Sequence, residues 1–286
     1  MRRRAGSLRF EYLGSHLILV PVELSGRHRS RFILDTGVGV NVIAPALAER
    51  SGARATGAVQ TGRRMSGQEL SLPVVEIPSL RLGSETHPEV PAGLFDLDRF
   101  LPPGVGVGGM VGLPLFEQRP FVIDPAAREL RLGARLPANA PRAPLTLRRD
   151  HLSLDAFLDL ELPGGTSARV ELDTGSDALI LHTRYMDALG IRPDDPRVRR
   201  TEGRDEVGHP YVRYRARLDG TVRLRAAPEI ARPDLDVIFS DVIYDGLVGH
   251  AFLSAFTVGI DVAAAEIAFG PARWGATDPA ARTSGS

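Results

Sequence analysis

The stretch Phe32-Ile33-Leu34-Asp35-Thr36-Gly37-Val38 has a counterpart 138 residues further on, Val170-Glu171-Leu172-Asp173-Thr174-Gly175-Ser176. In each, a short apolar run closes on Asp-Thr-Gly. Laid over one another at that offset, Val20, Val22, Leu24 and Gly26 meet Leu158, Leu160, Leu162 and Gly164. Val42 and Ile43 meet Ile180 and Leu181, and Gly52 meets Gly190. One residue of slippage then shifts the offset to 137, and Gly112, Phe116, Ile123, Asp124 and Gly133 meet Gly249, Leu253, Ile260, Asp261 and Gly270. A repeat of this length is one structural unit written twice.

The repeat divides the chain into a first lobe, residues 1–134, and a second, residues 151–270. The Pro- and Ala-rich stretch 135–150 reads as the linker, and the small, polar residues 271–286 read as a flexible tail. Leu158, Leu160 and Leu162 alternate with Asp159 and Glu161, the period of two of a half-buried strand. Turn glycines follow at Gly26 and Gly164, and a second strand then enters each Asp-Thr-Gly. Short helices are expected over Pro45 to Arg50 and Arg184 to Leu189, stopped by Gly52 and Gly190. Leu70 to Leu82 and Tyr211 to Leu224 again read as strand. The expectation is an all-β, bilobal architecture of two duplicated β-barrel lobes with a few short helices.

Composition narrows the function. The 286 residues carry 35 basic and 35 acidic side chains, a balance that points to neither a nucleic-acid nor a membrane-surface partner. The arginine-rich segment Arg197 to Arg204 is broken by Glu202 and has no interleaved aromatics, so a solvated loop is expected. There is no cysteine, which excludes thiolate nucleophiles, disulfides and Cys-based zinc sites. The seven histidines are scattered without metal-ligand spacing, with only His209 near a turn of interest. Met1-Arg2-Arg3-Arg4 is basic, but charges stand where the apolar segment of an export signal belongs, so a cytoplasmic protein is expected, with a periplasmic or secreted mature product as the alternative. Gly104, Gly106, Gly108 and Gly109 follow Leu101-Pro102-Pro103 rather than a strand, and no helix or Gly-Lys-Ser/Thr comes after them. They read as a flexible lead-in to an apolar strand, not a phosphate loop. Ser66, Ser153 and Ser240 lack the context of a nucleophilic serine.

The chemistry rests on Asp35 and Asp173. Hydrolysing an amide without a metal or a covalent intermediate takes one carboxylate as base for water and one carboxylic acid to protonate the carbonyl oxygen. A pseudo-two-fold between repeated lobes brings two such loops face to face. Carboxylates so close share a proton and titrate as a unit. Gly37 and Gly175 let backbone amides approach the carboxylates, and the hydroxyls of Thr36 and Thr174 can bond across to the opposite loop. A two-carboxylate glycosidase is the alternative, although it needs carboxyls at least about 5 Å apart with room for a sugar.

These residues resemble the pepsin and retropepsin superfamily of aspartic proteases, each lobe being similar to a bacterial retropepsin-like domain. That family pairs Asp-Thr/Ser-Gly-Ala/Ser with an apolar-apolar-Gly strand crossing behind the loop. Met110-Val111-Gly112 and Leu247-Val248-Gly249 match it, each followed by a short helical segment. The resemblance spans about residues 8 to 270. It implies an aspartic endopeptidase with Asp35 and Asp173 catalytic, no metal or organic cofactor, a peptide or protein substrate, and a monomer supplying both lobes. It also implies flaps, with tips at Met65-Ser66-Gly67 and Val207-Gly208-His209. Val38 departs from the family's Ser, Thr or Ala. Ser176 fits, with a hydroxyl expected to bond the outer oxygen of Asp173, which favours Asp35 as holder of the shared proton. An inactive protease-fold module that binds peptides or a partner protein is the reading from another class.

Overall fold

The computed structural model describes residues 6–271, with the exception of 100, 103, 206 and 207. Residues 272–286 of the expected tail, and Val207 of the second expected flap tip, lie outside the described residues.

The first lobe grows from the hairpin Leu17–Leu24 and His28–Leu34. Its alternate residues Val20, Val22 and Leu24 face inward, at most 3% exposed. His28–Leu34 pairs in parallel with the crossing strand Val107–Val111, which lies antiparallel to the short strand Val42–Ile43. That strand runs parallel to Glu85–Leu94, which is antiparallel to Glu69–Leu82. Glu69–Leu82 then returns to the first strand through Val22↔Leu82 and Leu24↔Leu80. The ring of six strands closes into a barrel, which leaves no free edge around its core. Arg54–Arg63 is added outside the ring, against Glu69–Leu82.

The second lobe repeats this order and sense of pairing. Ser153–Glu161, Ser167–Leu172, Gly246–Val248, Leu179–His182, Asp236–Ser240, Pro210–Arg217 and Arg199–Arg204 succeed one another across its sheet. Closure is less regular. The strand that is continuous over fourteen residues in the first lobe is broken here into Pro210–Arg217 and Thr221–Leu224. The break falls at Gly220, whose φ of +113° only glycine adopts without strain. The far piece still closes the ring, through Leu160↔Leu224.

A third sheet joins the lobes. Its six strands run in the order Gly6–Arg9, Glu129–Leu132, Phe121–Asp124, Phe256–Asp261, Glu266–Pro271 and Arg142–Pro144. The stretch 135–150, read as a linker, is half strand. Arg142–Pro144 pairs with Glu266–Pro271, and Thr146–Asp150 with Ser153–Glu161.

The helices are few and short. Pro45–Ser51 ends on Gly52 at φ +72°, a left-handed position suited to glycine. The matching stretch of the second lobe is two single 3₁₀ turns, Thr183–Tyr185 and Asp187–Leu189, ending on Gly190. Gly108 and Gly109, read as part of a flexible lead-in, lie inside the crossing strand. A Cβ on Gly109 would come within 2.3 Å of the Phe32 ring and of the Val42 carbonyl oxygen. These glycines therefore permit close strand packing rather than flexibility.

Candidate active site

Each Asp-Thr-Gly loop begins where a barrel strand leaves its sheet. Asp35 follows His28–Leu34 and Asp173 follows Ser167–Leu172. Their amides still donate to the crossing strands behind them, Asp35 to the Val111 carbonyl at 3.0 Å and Asp173 to that of Val248 at 3.1 Å. At Gly112 and Gly249 the crossing chains turn into single helical turns. A Cβ on Gly249 would lie 2.4 Å from the Ser176 carbonyl oxygen, and one on Gly112 would lie 3.0 Å from Val38 Cγ1. The loops press on the crossing strands too closely for a side chain there.

The two threonines tie the loops together reciprocally. The Thr36 amide donates to Thr174 Oγ1 and the Thr174 amide to Thr36 Oγ1, both at 3.0 Å. Each hydroxyl passes its own proton onward, Thr36 to the Leu172 carbonyl at 2.6 Å and Thr174 to that of Leu34 at 3.0 Å. Both side chains are buried, so all four bonds are shielded from competing water.

This grip sets Asp35 and Asp173 face to face, and their carboxyls share a hydrogen bond. The Gly37 amide donates to Asp35 Oδ1 at 2.9 Å and the Gly175 amide to Asp173 Oδ1 at 2.8 Å. Neither residue has a positive φ, so glycine is needed here for space rather than for a left-handed turn. A Cβ on Gly37 would sit 2.6 Å from Cγ of Asp173, and one on Gly175 2.5 Å from Oδ2 of Asp35. Each glycine leaves the space that the opposite carboxyl occupies.

Both aspartates are half-buried, and desolvation pushes both carboxyls above the ordinary aspartate range. Asp173 is raised well above it, because the charge of Asp35 adds to desolvation. Asp35 rises less, held down by backbone donors, by its bond with Asp173 and by the nearby His16. This reverses the expected asymmetry: of the two carboxyls, Asp173 is pushed up the further. The basis of that expectation also fails. The Ser176 hydroxyl stands 3.4 Å from the Ala178 amide and 3.5 Å from its carbonyl, and it does not bond the carboxyl of Asp173. Backbone amides do that work in both loops, from Val38 and from Ser176.

The two candidate flap segments are turns of long hairpins. Arg54–Arg63 and Glu69–Leu82 meet at a turn in which the Gly67 amide donates to the Arg64 carbonyl at 2.8 Å. Arg199–Arg204 and Pro210–Arg217 meet at a turn in which the Gly208 amide donates to the Asp205 carbonyl at 2.9 Å. The first hairpin reaches the second lobe, with Arg64 paired to Asp205 at 2.9 Å and the Ile243 amide donating to the Met65 carbonyl at 2.9 Å. Between the hairpins lies a cleft of about 860 Å3, bordered by Met65, Tyr211 and Arg213 and floored by Ile180 and Leu247. His209 stands on its rim. Among the described residues, no group of three or more His, Asp or Glu is arranged to hold a metal ion.

Residues 20–115 match the model of a family described as aspartyl protease. The matched lobe is a retropepsin-like aspartyl protease domain. The match begins in the first barrel strand, contains Asp35-Thr36-Gly37 and Met110-Val111-Gly112, and ends in the helical turn after them. No curated protein matches the chain. For this family the substrates are peptides or proteins, and the reaction is hydrolysis.

Several residues of the retropepsin-like site escape a motif reading. Asn41 is buried, accepts from the Gly112 amide at 3.1 Å and donates to the Pro91 carbonyl at 3.3 Å, anchoring the crossing strand. Glu171 is 4% exposed, two residues before Asp173 and on the same face of its strand. The signal for Glu171 was present, because the first repeat has the apolar Ile33 at the equivalent place.

Proposed function

We propose that the chain is an aspartic endopeptidase in which Asp35 and Asp173 together activate water against a peptide bond. What supports this most is the reciprocal packing of the two loops, each glycine lying against the opposite carboxyl. A pair of turns with no shared chemistry has no need of that contact.

The pKa directions divide the roles. Asp35, the more readily ionised, takes a proton from water as the water oxygen bonds to the peptide carbonyl carbon. Asp173, which holds the shared proton, gives it to the carbonyl oxygen. Collapse of the resulting gem-diol breaks the C–N bond. The proton on Asp35 passes to the departing amine, and Asp173 recovers one from a gem-diol hydroxyl. Both carboxylates come from one chain, so a monomer suffices. An extended substrate lies in the cleft with backbone bonds to the hairpins and alternate side chains in pockets.

The test is cleavage of a diverse peptide mixture between pH 3 and 7 by the wild type, Asp35→Asn and Asp173→Asn. Loss of about 10²–10⁴-fold in each variant is expected for removal of an acid or base. Cleavage that survives both substitutions would contradict the mechanism. A wild type that binds peptides and cuts none would identify a binding module.

A further inference from the structure

One row of side chains crosses four strands on the cleft side of the second lobe. Ile180 pairs in register with Leu247, Leu247 with Glu171, and Glu171 with Phe157. Residues paired in register point to the same face of a sheet. Ile180 and Leu247 floor the cleft, and Glu171 continues their row on the same sheet face beyond the lining residues, with Asp173 two residues further along its strand face. The first lobe has nothing comparable, since Ile33 stands in place of Glu171.

Glu171 is a carboxyl more than nine-tenths buried, and among the described residues no hydrogen bond or ion pair engages its side chain. A buried group of this kind is costly unless some partner satisfies it. Its surroundings describe that partner. Asp155 stands next along the neighbouring strand and reaches toward Gly39 of the first lobe, where a Cβ would lie 2.9 Å from its Oδ1. The Tyr244 ring packs edge-on against Phe157 at 4.9 Å and supplies an aromatic face. The exposed guanidinium of Arg148 already lies 5.7 Å over that ring and donates to the Tyr244 hydroxyl at 3.1 Å. Carboxylates beside an aromatic face are the surroundings a guanidinium takes. The remaining charges on this face, Arg169 and Asp159, are occupied with each other at 2.8 Å.

We propose that Glu171, Asp155, Phe157 and Tyr244 form a subsite beside the carboxyl pair for a cationic substrate side chain, arginine in preference to lysine. The substrate's guanidinium displaces that of Arg148 from Tyr244 and pairs with Glu171. Arginine is favoured because its plane stacks on the ring while its fork meets a carboxylate. The proposal rests on the reading of the cleft as a peptide-cleaving site.

The subsite carries its own pH signature. Desolvation and the charges of Asp173, Asp155 and Asp35 raise Glu171 well above the usual glutamate range, with only Arg148 opposing them. Below that raised value Glu171 is neutral and offers hydrogen bonds alone. Its preference for a cation therefore increases as pH rises through it.

The test uses matched peptides with arginine or its neutral isostere citrulline, placed in turn at three positions on each side of the scissile bond. At one position the wild-type kcat/KM ratio of arginine to citrulline should reach at least about tenfold, the scale of a charge-assisted bond, and should increase with pH. In Glu171→Gln the ratio should fall to within about twofold of unity and lose its pH dependence, by the same reckoning. Asp155→Asn, a second variant should the first fold poorly, should reduce the ratio at least about threefold. A wild-type ratio near unity at every position, or one unchanged in both variants, would overturn the subsite. If neither peptide is cut, fluorescence anisotropy decides. Tighter arginine binding that Glu171→Gln removes supports the subsite while the catalytic reading falls, and equal binding of both peptides overturns it.

Discussion

Burial and charge act together on Asp173, which faces Asp35 across the loops and carries Glu171 two residues before it. A carboxyl whose folded-state pKa lies above its unfolded value costs no stability while neutral. Its penalty grows as pH rises through the folded value. For Asp173 that window opens above its ordinary value of 3.8. Asp173→Asn, which keeps an acceptor for the Gly175 amide, should therefore melt close to the wild type at pH 3 and higher than it at pH 7. Each kcal/mol relieved corresponds to about 2–4 °C in a chain of this size. Thermal scans across that range check this, and a gain larger in acid than at neutrality would reverse the assignment. The pair itself was legible in the sequence, because Asp-Thr-Gly after an apolar strand is a local pattern. Which carboxyl is pushed up further was not, because that depends on His16, on backbone amides and on packing that no spacing reveals. Val38 and Ser176 show why. Their side chains differ, but it is their amides that meet the carboxyls.

Among the elements, the first-lobe hairpin differs most from a free flap. Gln60, 5% exposed, accepts from the Leu152 amide at 3.1 Å and donates to the Asp150 carbonyl at 3.4 Å. Together with Arg64 and Met65 it fastens the hairpin to the second lobe along its length. Gln60→Leu leaves a partly buried Leu152 amide without its acceptor, at a cost of about 1 kcal/mol. The loss should appear as faster hydrogen exchange confined to the two hairpin strands and to 146–161. Exchange that rose uniformly would place the effect elsewhere. Alternation foretold the strand at Leu70 to Leu82, but Arg54–Arg63 carried no such reading. The Gln60 bridge stayed hidden because it joins residues ninety apart, and a lone polar residue in an exposed strand ordinarily faces solvent.

On the scale of the whole molecule, the interlobe sheet makes the repeat into one body. Phe121–Asp124 pairs directly with Phe256–Asp261, and each lobe contributes a hairpin to the same six strands. Neither lobe can unfold without exposing an edge of that sheet and breaking the threonine exchange at its buried centre. Calorimetry should record a single transition with equal calorimetric and van't Hoff enthalpies. Two resolved transitions would show that the lobes are held together less firmly than their contacts indicate.

The amino-acid sequence by itself determined the β class, the two equivalent Asp-Thr-Gly loops and the crossing strands at Gly112 and Gly249. Strand periodicity and motif chemistry act over a few residues, and a repeat states them twice. Only the tertiary structure decided that stretch 135–150 is half strand, that Ser176 leaves Asp173 to the backbone, and that Asp173 is pushed up further than Asp35. It alone placed Asp155, Phe157 and Glu171 on one sheet face and the Tyr244 ring against it. Those outcomes depend on desolvation and on contacts between residues distant in the chain, which exist only once the barrels close and the two loops meet.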